Sequence, residues 1–380
     1  MKILMIHNRY RQPGGEDAAF STDQQLLQRN GAEVIAYTRH NNEIEDFGIR
    51  NRLQWAAGTI YSRRTRSEIT RLVAENRPDL AYVHNVFAVV SPSVYHVLHK
   101  LKIPTVQVLH NFRFLCPQGS FYTHGQICER CKGGAYWNAV RYRCYRESYM
   151  SSALYGASIG LNRLTGMLEK IDAFICLTDS GRQKMREAGI PGERLFVRPN
   201  CIDTSIVQPK FEAGSYALYL GRLVAEKGLW TLLGAFERLP EMQLKIGGSG
   251  PIEKALQAYI AQRNIRNIEL LGFKGPDEKW ELLRNCAFIV LPSELYEAFG
   301  LTVIEAYAAG KPAIGSNIGG LPQVIENQKT GLLFEPGNVD DLVEKIRYLG
   351  NRPDETQRMG RCGRAVAETK FSPAATYEGL

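Results

Sequence analysis

YLGRLVAEKGLWTLLGAF (219–236) compresses a whole βα unit into one stretch: an apolar strand, a turn at Gly221, and a helix that starts near Glu226 to Gly228. Arg222 and Lys227 flank that helix entrance, where unpaired backbone N–H groups and the positive end of the helix dipole already favour an anion. Two cations there make a cradle for a diphosphate. On a βα turn they are equally the ordinary charges of a surface.

The same rhythm of short apolar runs and longer amphipathic stretches extends in both directions, which is the pattern of βαβ units feeding a parallel sheet. Strands are expected at 2–7, 33–38, 79–84, 104–110 and 173–178, then at 216–221, 243–247, 268–272, 287–292 and 312–316. The fold class is therefore α/β with two Rossmann-like domains facing each other across a cleft. The Pro-rich stretch RPNCIDTSIVQPKFEAG (198–214) separates them. Residues 1–198 form the first domain, with an insertion over 112–163 that is too long for a loop. Residues 199–370 form the second, and the tail 371–380 is expected to cross back to the first.

With 380 residues, 44% hydrophobic and 23% charged, the chain can bury a core, which excludes disordered and fibrous classes. The opening MKILMIHNRY reads as a buried strand, not a secretory signal, and places the chain in the cytosol with its eight Cys reduced. Charge divides unevenly: residues 1–200 hold 27 Lys+Arg against 17 Asp+Glu, and residues 201–380 hold 20 against 22. A basic half joined to a near-neutral half implies different partners for each.

A second glycine-rich turn, IGGSGPIEKAL (246–256), lets backbone approach closely at Gly248 and Gly250, with Pro251 suited to a first helical turn. It lacks the third glycine of a dinucleotide fingerprint, and the first domain's second strand ends Tyr37-Thr38-Arg39 without the acid a nicotinamide site wants. Hydride chemistry is disfavoured. In PSELYEAFGLTVIEAYAAGKP (292–312), Glu297 falls in a loop and Glu305 in the first turn of the next helix. A carboxylate can accept two hydrogen bonds from vicinal hydroxyls. The backbone of Phe299, Gly300 and Leu301 could hold a sugar or phosphate oxygen. Thr302 and Glu305 also fit a capping box, which would serve only the helix.

These motifs together with GGLPQVIENQKTGLLFEPG (319–337) resemble the retaining nucleotide-sugar glycosyltransferases of family 4, which have the GT-B fold. The resemblance runs over nearly the whole chain and is most specific from Tyr219 to Gly337. It implies that Arg222 and Lys227 neutralise the donor diphosphate, that Glu305 binds ribose, and that Glu297 faces the donor sugar. Phe299, Gly300 and Leu301 would hold sugar and phosphate, and Gly272 and Phe273 would cradle the base. In the first domain NRYRQPGGEDAAF (8–20) matches the family's glycine-rich loop, which gives Gly14 and Gly15 to the donor. The run VLHNFRFLCP resembles the strand-end segment whose His, here His110, contacts the transferred sugar. A lone strand-end His is otherwise usually structural.

The implied reaction is displacement at the anomeric carbon with net retention and no catalytic metal. It transfers a sugar from a nucleoside-diphosphate donor to a glycan or lipid-linked acceptor in polysaccharide or cell-envelope assembly. A sugar phosphorylase or epimerase on the same fold is the nearest alternative, and a zinc-stapled nucleic-acid-binding protein is a more distant one. Nucleic acid is not an expected partner, because it explains none of the second-domain motifs.

Cys116, Cys128, Cys131 and Cys144 are spaced C-x11-C-x2-C-x12-C, which suits one structural Zn²⁺ stapling the insertion. Residues 50–66 carry five Arg and no acid, and residues 130–163 carry six Lys+Arg against one acid amid many aromatics. Such segments suit an anionic membrane surface, at the inner face of the plasma membrane, or are simply solvated helix faces.

Overall fold

In a computed structural model of the chain, residues 1–11, 14–44 and 56–379 are described. They form two compact units, Met1–Thr123 with Cys128–Pro199, and Asn200–Leu380 with His124–Ile127.

The first unit is built on strands β1 (Lys2–Arg9), β2 (Glu33–His40), β3 (Leu80–Val83) and β4 (Thr105–Leu109). After a two-stranded hairpin of β5 (Tyr122–Thr123) and β6 (Gln126–Ile127), β7 (Ala173–Cys176) and β8 (Leu195–Val197) complete the sheet. Its order is β2-β1-β3-β4-β7-β8, and every pairing in it is parallel. A parallel sheet needs cover on both faces, so its central strands are buried along most of their length; β1 is buried from Ile3 to Asn8. The helix Arg63–Asn76 buries Thr65, Ile69 and Val73 at a spacing of four. Ser62 caps it, accepting from the Thr65 N–H at 3.1 Å, and Arg77 closes it in the left-handed region.

The 112–163 insertion carries the hairpin and two helices, Trp137–Arg141 and Tyr149–Leu164. The longer helix is tied down by Ser158 Oγ donating to the Thr59 carbonyl at 2.8 Å and Asn162 Nδ2 to that of Ile60 at 3.0 Å.

The second unit contains β9 (Tyr216–Leu220), β10 (Gln243–Gly247), β11 (Ile268–Gly272), β12 (Phe288–Leu291), β13 (Ala313–Ser316) and β14 (Gly331–Phe334). Its order, β11-β10-β9-β12-β13-β14, is the 3-2-1-4-5-6 arrangement of dinucleotide-binding folds, and its pairings are all parallel. One core joins Leu232, Phe236, Ile246, Phe288, Val290 and Ile346. Strands β5, β6, β8 and β14 lie outside the expected set. The first three span only two or three residues, and GLLF of β14 reads as part of a longer motif.

The tail differs from expectation. Residues 371–379 group with the second unit, where Phe371 is buried, its ring edge-on to Phe299 at 5.6 Å, and its carbonyl accepts from the Ile202 N–H at 2.8 Å.

At the carboxyl ends of β1 and β3 the first unit buries an unusual polar set. Arg198, 1% exposed, donates through both Nη atoms to Asp23, at 3.0 and 2.5 Å. Tyr82 Oη also donates to Asp23, at 3.1 Å. His84 Nδ1 lies 2.9 Å from His110 Nε2, and His7 Nε2 lies 3.1 Å from Asp17 Oδ1. Burial pushes the His84 imidazole well below its ordinary 6.5, and His110, His7 and Arg198 push the same way. Burial also lowers His110, against the partial pull of Glu16 and Asp23.

Both imidazoles therefore sit neutral in the folded chain and take up a proton more readily when unfolded. The unfolded state binds more protons just below the ordinary histidine value, so stability falls as pH drops through 6.5. Each histidine is expected to contribute up to about 1.4 kcal/mol of loss per pH unit in that window. Urea unfolding between pH ~7 and ~5 should show the decline, and His84→Phe should lessen its slope; an equal slope in both chains would refute the assignment.

Candidate functional site

The crevice of a doubly wound sheet opens where neighbouring strands send their connections to opposite faces, which in the second unit is between β9 and β12. After β9 come Arg222, a single 3₁₀ turn at Ala225–Lys227, and Gly228, whose φ of 69° starts the helix Leu229–Glu237. A Cβ on Gly228 would lie 1.8 Å from the Pro292 carbonyl oxygen, so the loops after β9 and β12 meet backbone to backbone. The Glu294 N–H donates to the Glu226 carbonyl at 3.0 Å, and Thr231 Oγ1 to Glu294 Oε1 at 2.7 Å.

That seam brings Lys227 Nζ to 2.5 Å from Glu297 Oε1, which also accepts from Ser293 Oγ at 2.5 Å. Burial would raise the Glu297 carboxyl, but Lys227, Ser293 and the charge of Arg222 outweigh it and hold it below the ordinary carboxylate range. Glu297 is thus an ionised carboxylate, and three of the expected donor residues, Arg222, Lys227 and Glu297, share one electrostatic neighbourhood. Arg222 itself is exposed. Gly319 supports the loop from the other side: with φ 62°, its Cβ position lies 2.7 Å from the Glu297 nitrogen, and the Gly320 N–H donates to the Glu297 carbonyl at 2.7 Å.

Glu305 is on the helix Leu301–Ala308, which begins after Gly300 at φ 97°. The capping box with Thr302 does not form, because Gly300 is the cap and Thr302 is already inside the helix. The Glu305 carboxylate instead accepts from Lys279 Nζ at 2.7 Å. Lys279 lies on the helix Pro276–Asn285, and no short sequence spacing pointed to it. Phe273 is 63% exposed directly after β11. Phe299, expected at the ligand, has its side chain buried against Phe371, so only its backbone is left for that role.

Gly248 and Gly250 have a steric cause within the fold. A Cβ on either would strike the β9 turn, 1.8 Å from the Gly221 oxygen and 2.2 Å from that of Leu223, and the Gly248 N–H is committed to the Gly272 carbonyl at 2.8 Å.

In the first unit the sheet order reverses between β1 and β3. Gly14 caps the helix Gly15–Arg29, and its N–H donates to Asp17 Oδ2 at 3.0 Å. Asp17 carries two roles, since its other oxygen pairs with His7. Its carboxyl, which burial alone would raise, is lowered by the bonds from His7 and Gly14. Glu16 bridges this loop to the end of β4, accepting from Tyr10 Oη at 2.9 Å and from Asn111 Nδ2 at 2.6 Å. Asn111 follows His110, so the loop of Gly14 and Gly15 and the His110 segment are one hydrogen-bonded assembly. His84, Asp23 and Arg198 complete it and carry no motif that a sequence reading could have used.

Cys116, Cys128, Cys131 and Cys144 are free thiols. Burial first, and then Cys116, Cys144 and Cys128, push the Cys131 thiol up to about 12. Among the described residues no group of three or more His, Cys, Asp or Glu side chains is placed to hold a metal ion. The insertion presents exposed Trp137, Tyr149, Met150, Leu161 and Leu164. Arg143 lies over Tyr149 with 5.5 Å to the ring centroid. In the other basic segment, 50–66, residues 50–55 lie outside the described residues.

Residues 25–206 match the family model for glycosyltransferase family 4, and residues 203–366 that for glycosyl transferases group 1. An uncharacterised glycosyltransferase of Methanocaldococcus jannaschii is 34% identical over 158 residues, 42% of this chain and 44% of that protein. The O-antigen chain mannosyltransferase C of Escherichia coli is 31% identical over 160 residues, 42% of this chain and 43% of that protein. The chain thus spans less than half the length of these two relatives. HepE of Anabaena, crystallised in complex with UDP, matches 100% of this chain and 98% of its own with a TM-score of 0.68 at 18% identity, a likeness of fold. The two adjoining matches together run from residue 25 to residue 366, and both models describe glycosyltransferases.

Proposed function

We propose that the chain is a retaining glycosyltransferase that moves a sugar from a nucleoside-diphosphate donor to a glycan or lipid-linked acceptor, in polysaccharide or cell-envelope assembly. The observation that carries this reading is the gathering of Arg222, Lys227 and an ionised Glu297 at the strand-order reversal of the second sheet. The mannosyltransferase relative and the UDP-bound neighbour are consistent with it.

In this reading the diphosphate takes Lys227 away from Glu297 and releases that carboxylate to a sugar hydroxyl. The bond from the anomeric carbon to phosphate breaks as the bond to the acceptor oxygen forms on the same face, and the acceptor's proton passes to the leaving phosphate. Negative charge grows on that phosphate in the transition state, and Arg222, Lys227 and the N–H groups entering the helix Leu301–Ala308 stabilise it without reorganising. Glu305 takes the ribose hydroxyls, Phe273 lies against the base, and His110 meets the transferred sugar.

Lys227→Ala and Glu305→Ala are each expected to weaken donor binding by tenfold or more, about 1.4 kcal/mol. The check is the thermal shift of the purified chain across a panel of UDP- and GDP-sugars; unaltered shifts in both variants would reject the donor site. Release of nucleoside diphosphate that depends on added acceptor separates transfer from a phosphorylase or epimerase.

We also propose a structural zinc on Cys116, Cys128, Cys131 and Cys144. The spacing of the four cysteines supports it, although among the described residues no group of three or more His, Cys, Asp or Glu side chains is placed to hold a metal ion. Metal analysis of the purified chain should find one zinc, lost in the Cys128→Ser, Cys131→Ser double variant; a folded wild type without zinc would remove the idea.

The basic, aromatic face of the insertion is proposed to adsorb on anionic lipid at the cytoplasmic membrane surface. Trp137, Tyr149, Met150 and Leu164 supply apolar contact and Arg141, Arg143 and Arg146 the charge. Among the described residues no helix is long and apolar enough to cross a membrane. Flotation with phosphatidylglycerol vesicles should show binding at low salt that fades as salt is added. Indifference to those vesicles at low salt would count against it.

A further inference from the structure

We infer that His84 is a positioning residue that fixes the tautomer of His110, so that His110 offers an acceptor nitrogen, Nδ1, to a hydroxyl of the transferred sugar. The inference rests on the reading that His110 contacts that sugar, and it adds how the ring is prepared to do so.

The geometry comes first. His84 follows β3 and His110 follows β4, parallel neighbours, and this register sets the two rings edge to edge with 19° between their planes and 2.9 Å between Nδ1 of His84 and Nε2 of His110. A nitrogen pair at that distance shares one hydrogen, so one ring donates and the other accepts. The other nitrogen of His84, Nε2, faces Asp23 Oδ2 at 3.6 Å, with both side chains buried. That separation is too long for a hydrogen bond, and His84 Nε2 is a buried polar atom without a hydrogen-bond partner.

Electrostatics then chooses the donor. Asp23 is held by both Nη atoms of Arg198 and by Tyr82 Oη, and its carboxylate oxygens are pure acceptors. If His84 kept its hydrogen on Nδ1, a bare lone pair on Nε2 would face a carboxylate oxygen in a buried site, lone pair against negative charge. With the hydrogen on Nε2 the N–H dipole points at Asp23, and His84 Nδ1 becomes the acceptor. The low-dielectric surroundings enlarge the difference between the two states. His110 must then donate through Nε2–H, and a neutral His110 has its lone pair on Nδ1. Glu16, Asp17 and His7 are the remaining ionisable groups of this set, and none is bonded to the His84–His110 contact.

The chemical consequence is directional. An acceptor nitrogen receives the hydrogen of a sugar hydroxyl and leaves that oxygen's lone pairs free, whereas the opposite tautomer would present N–H and turn the hydroxyl around. Asp23, Arg198 and Tyr82 therefore reach the sugar indirectly, by holding the carboxylate that orients His84.

Long-range ¹H–¹⁵N correlation on the ¹⁵N-histidine-labelled chain at neutral pH, with His110→Asn to assign the signals, reads the tautomer without any ligand. The expected result is a protonated Nε2 and an unprotonated Nδ1 on His110; a hydrogen on Nδ1 overturns the inference. Turnover is read as UDP or GDP release from a panel of their sugars. His84→Phe is expected to lower kcat about tenfold with KM moved less than about twofold, and His84→Asn, whose Oδ1 can replace the Nδ1 acceptor, to recover most of it. Equal losses in both variants, or normal turnover in His84→Phe while His110→Ala is inactive, would overturn the positioning role. Normal turnover in His110→Ala would instead defeat the reading that His110 meets the sugar, whatever tautomer the spectra report.

Discussion

Each sheet of this chain is wholly parallel, and a parallel strand can be followed by another only if the chain crosses back over one face. All strands of a unit therefore end on the same edge, and at the point where the order reverses two successive connections leave in opposite directions. That edge collects loops and helix entrances that cannot cover one another. Lys227 and Glu297 come from connections on either side of the reversal in the second sheet, and in the first His7, near the end of β1, and His84, just after β3, lie on either side of it. The chemistry of both units follows from this one restriction on how a chain can cross.

The two edges hold their charges differently. In the second unit Lys227 and Glu297 are part-exposed, at 21% and 12%, and satisfy each other. A pair of this kind costs little to hold and is readily exchanged for contacts with an anion. In the first unit Asp23 and Arg198 are almost fully buried, and removing one would strand the other. That pair is a fixed support, and the histidines it surrounds are kept neutral by burial. One edge holds a part-exposed ion pair, and the other a buried one.

Much of this was legible along the chain. The alternation of apolar runs with amphipathic stretches gave both sheets, because period and length separate a buried parallel strand from its covering helix without tertiary information. Arg222, Lys227, Glu297 and Glu305 stood out through the company of several motifs in consistent order, since each alone fits an ordinary surface or a helix cap. The same local view left open a capping box of Thr302 and Glu305, which does not form, because the cap is decided by backbone conformation and Gly300 takes the left-handed turn two residues earlier. Gly248 and Gly250, expected where backbone approaches a ligand closely, also meet a demand of the fold itself, because the β9 turn leaves no room for a Cβ at either.

What the sequence by itself determined is the kind of molecule: two parallel α/β units, the residues on each βα turn, and the cysteine-rich insertion, all of which are set by interactions among residues close along the chain. Only the tertiary structure decided which side chains serve together. Lys279 meets Glu305 across 26 residues, Asn111 meets Glu16 across 95, and Arg198 meets Asp23 across 175. Those partners are chosen by sheet order and register, which sum weak preferences over the whole fold and leave no mark in any single stretch of sequence.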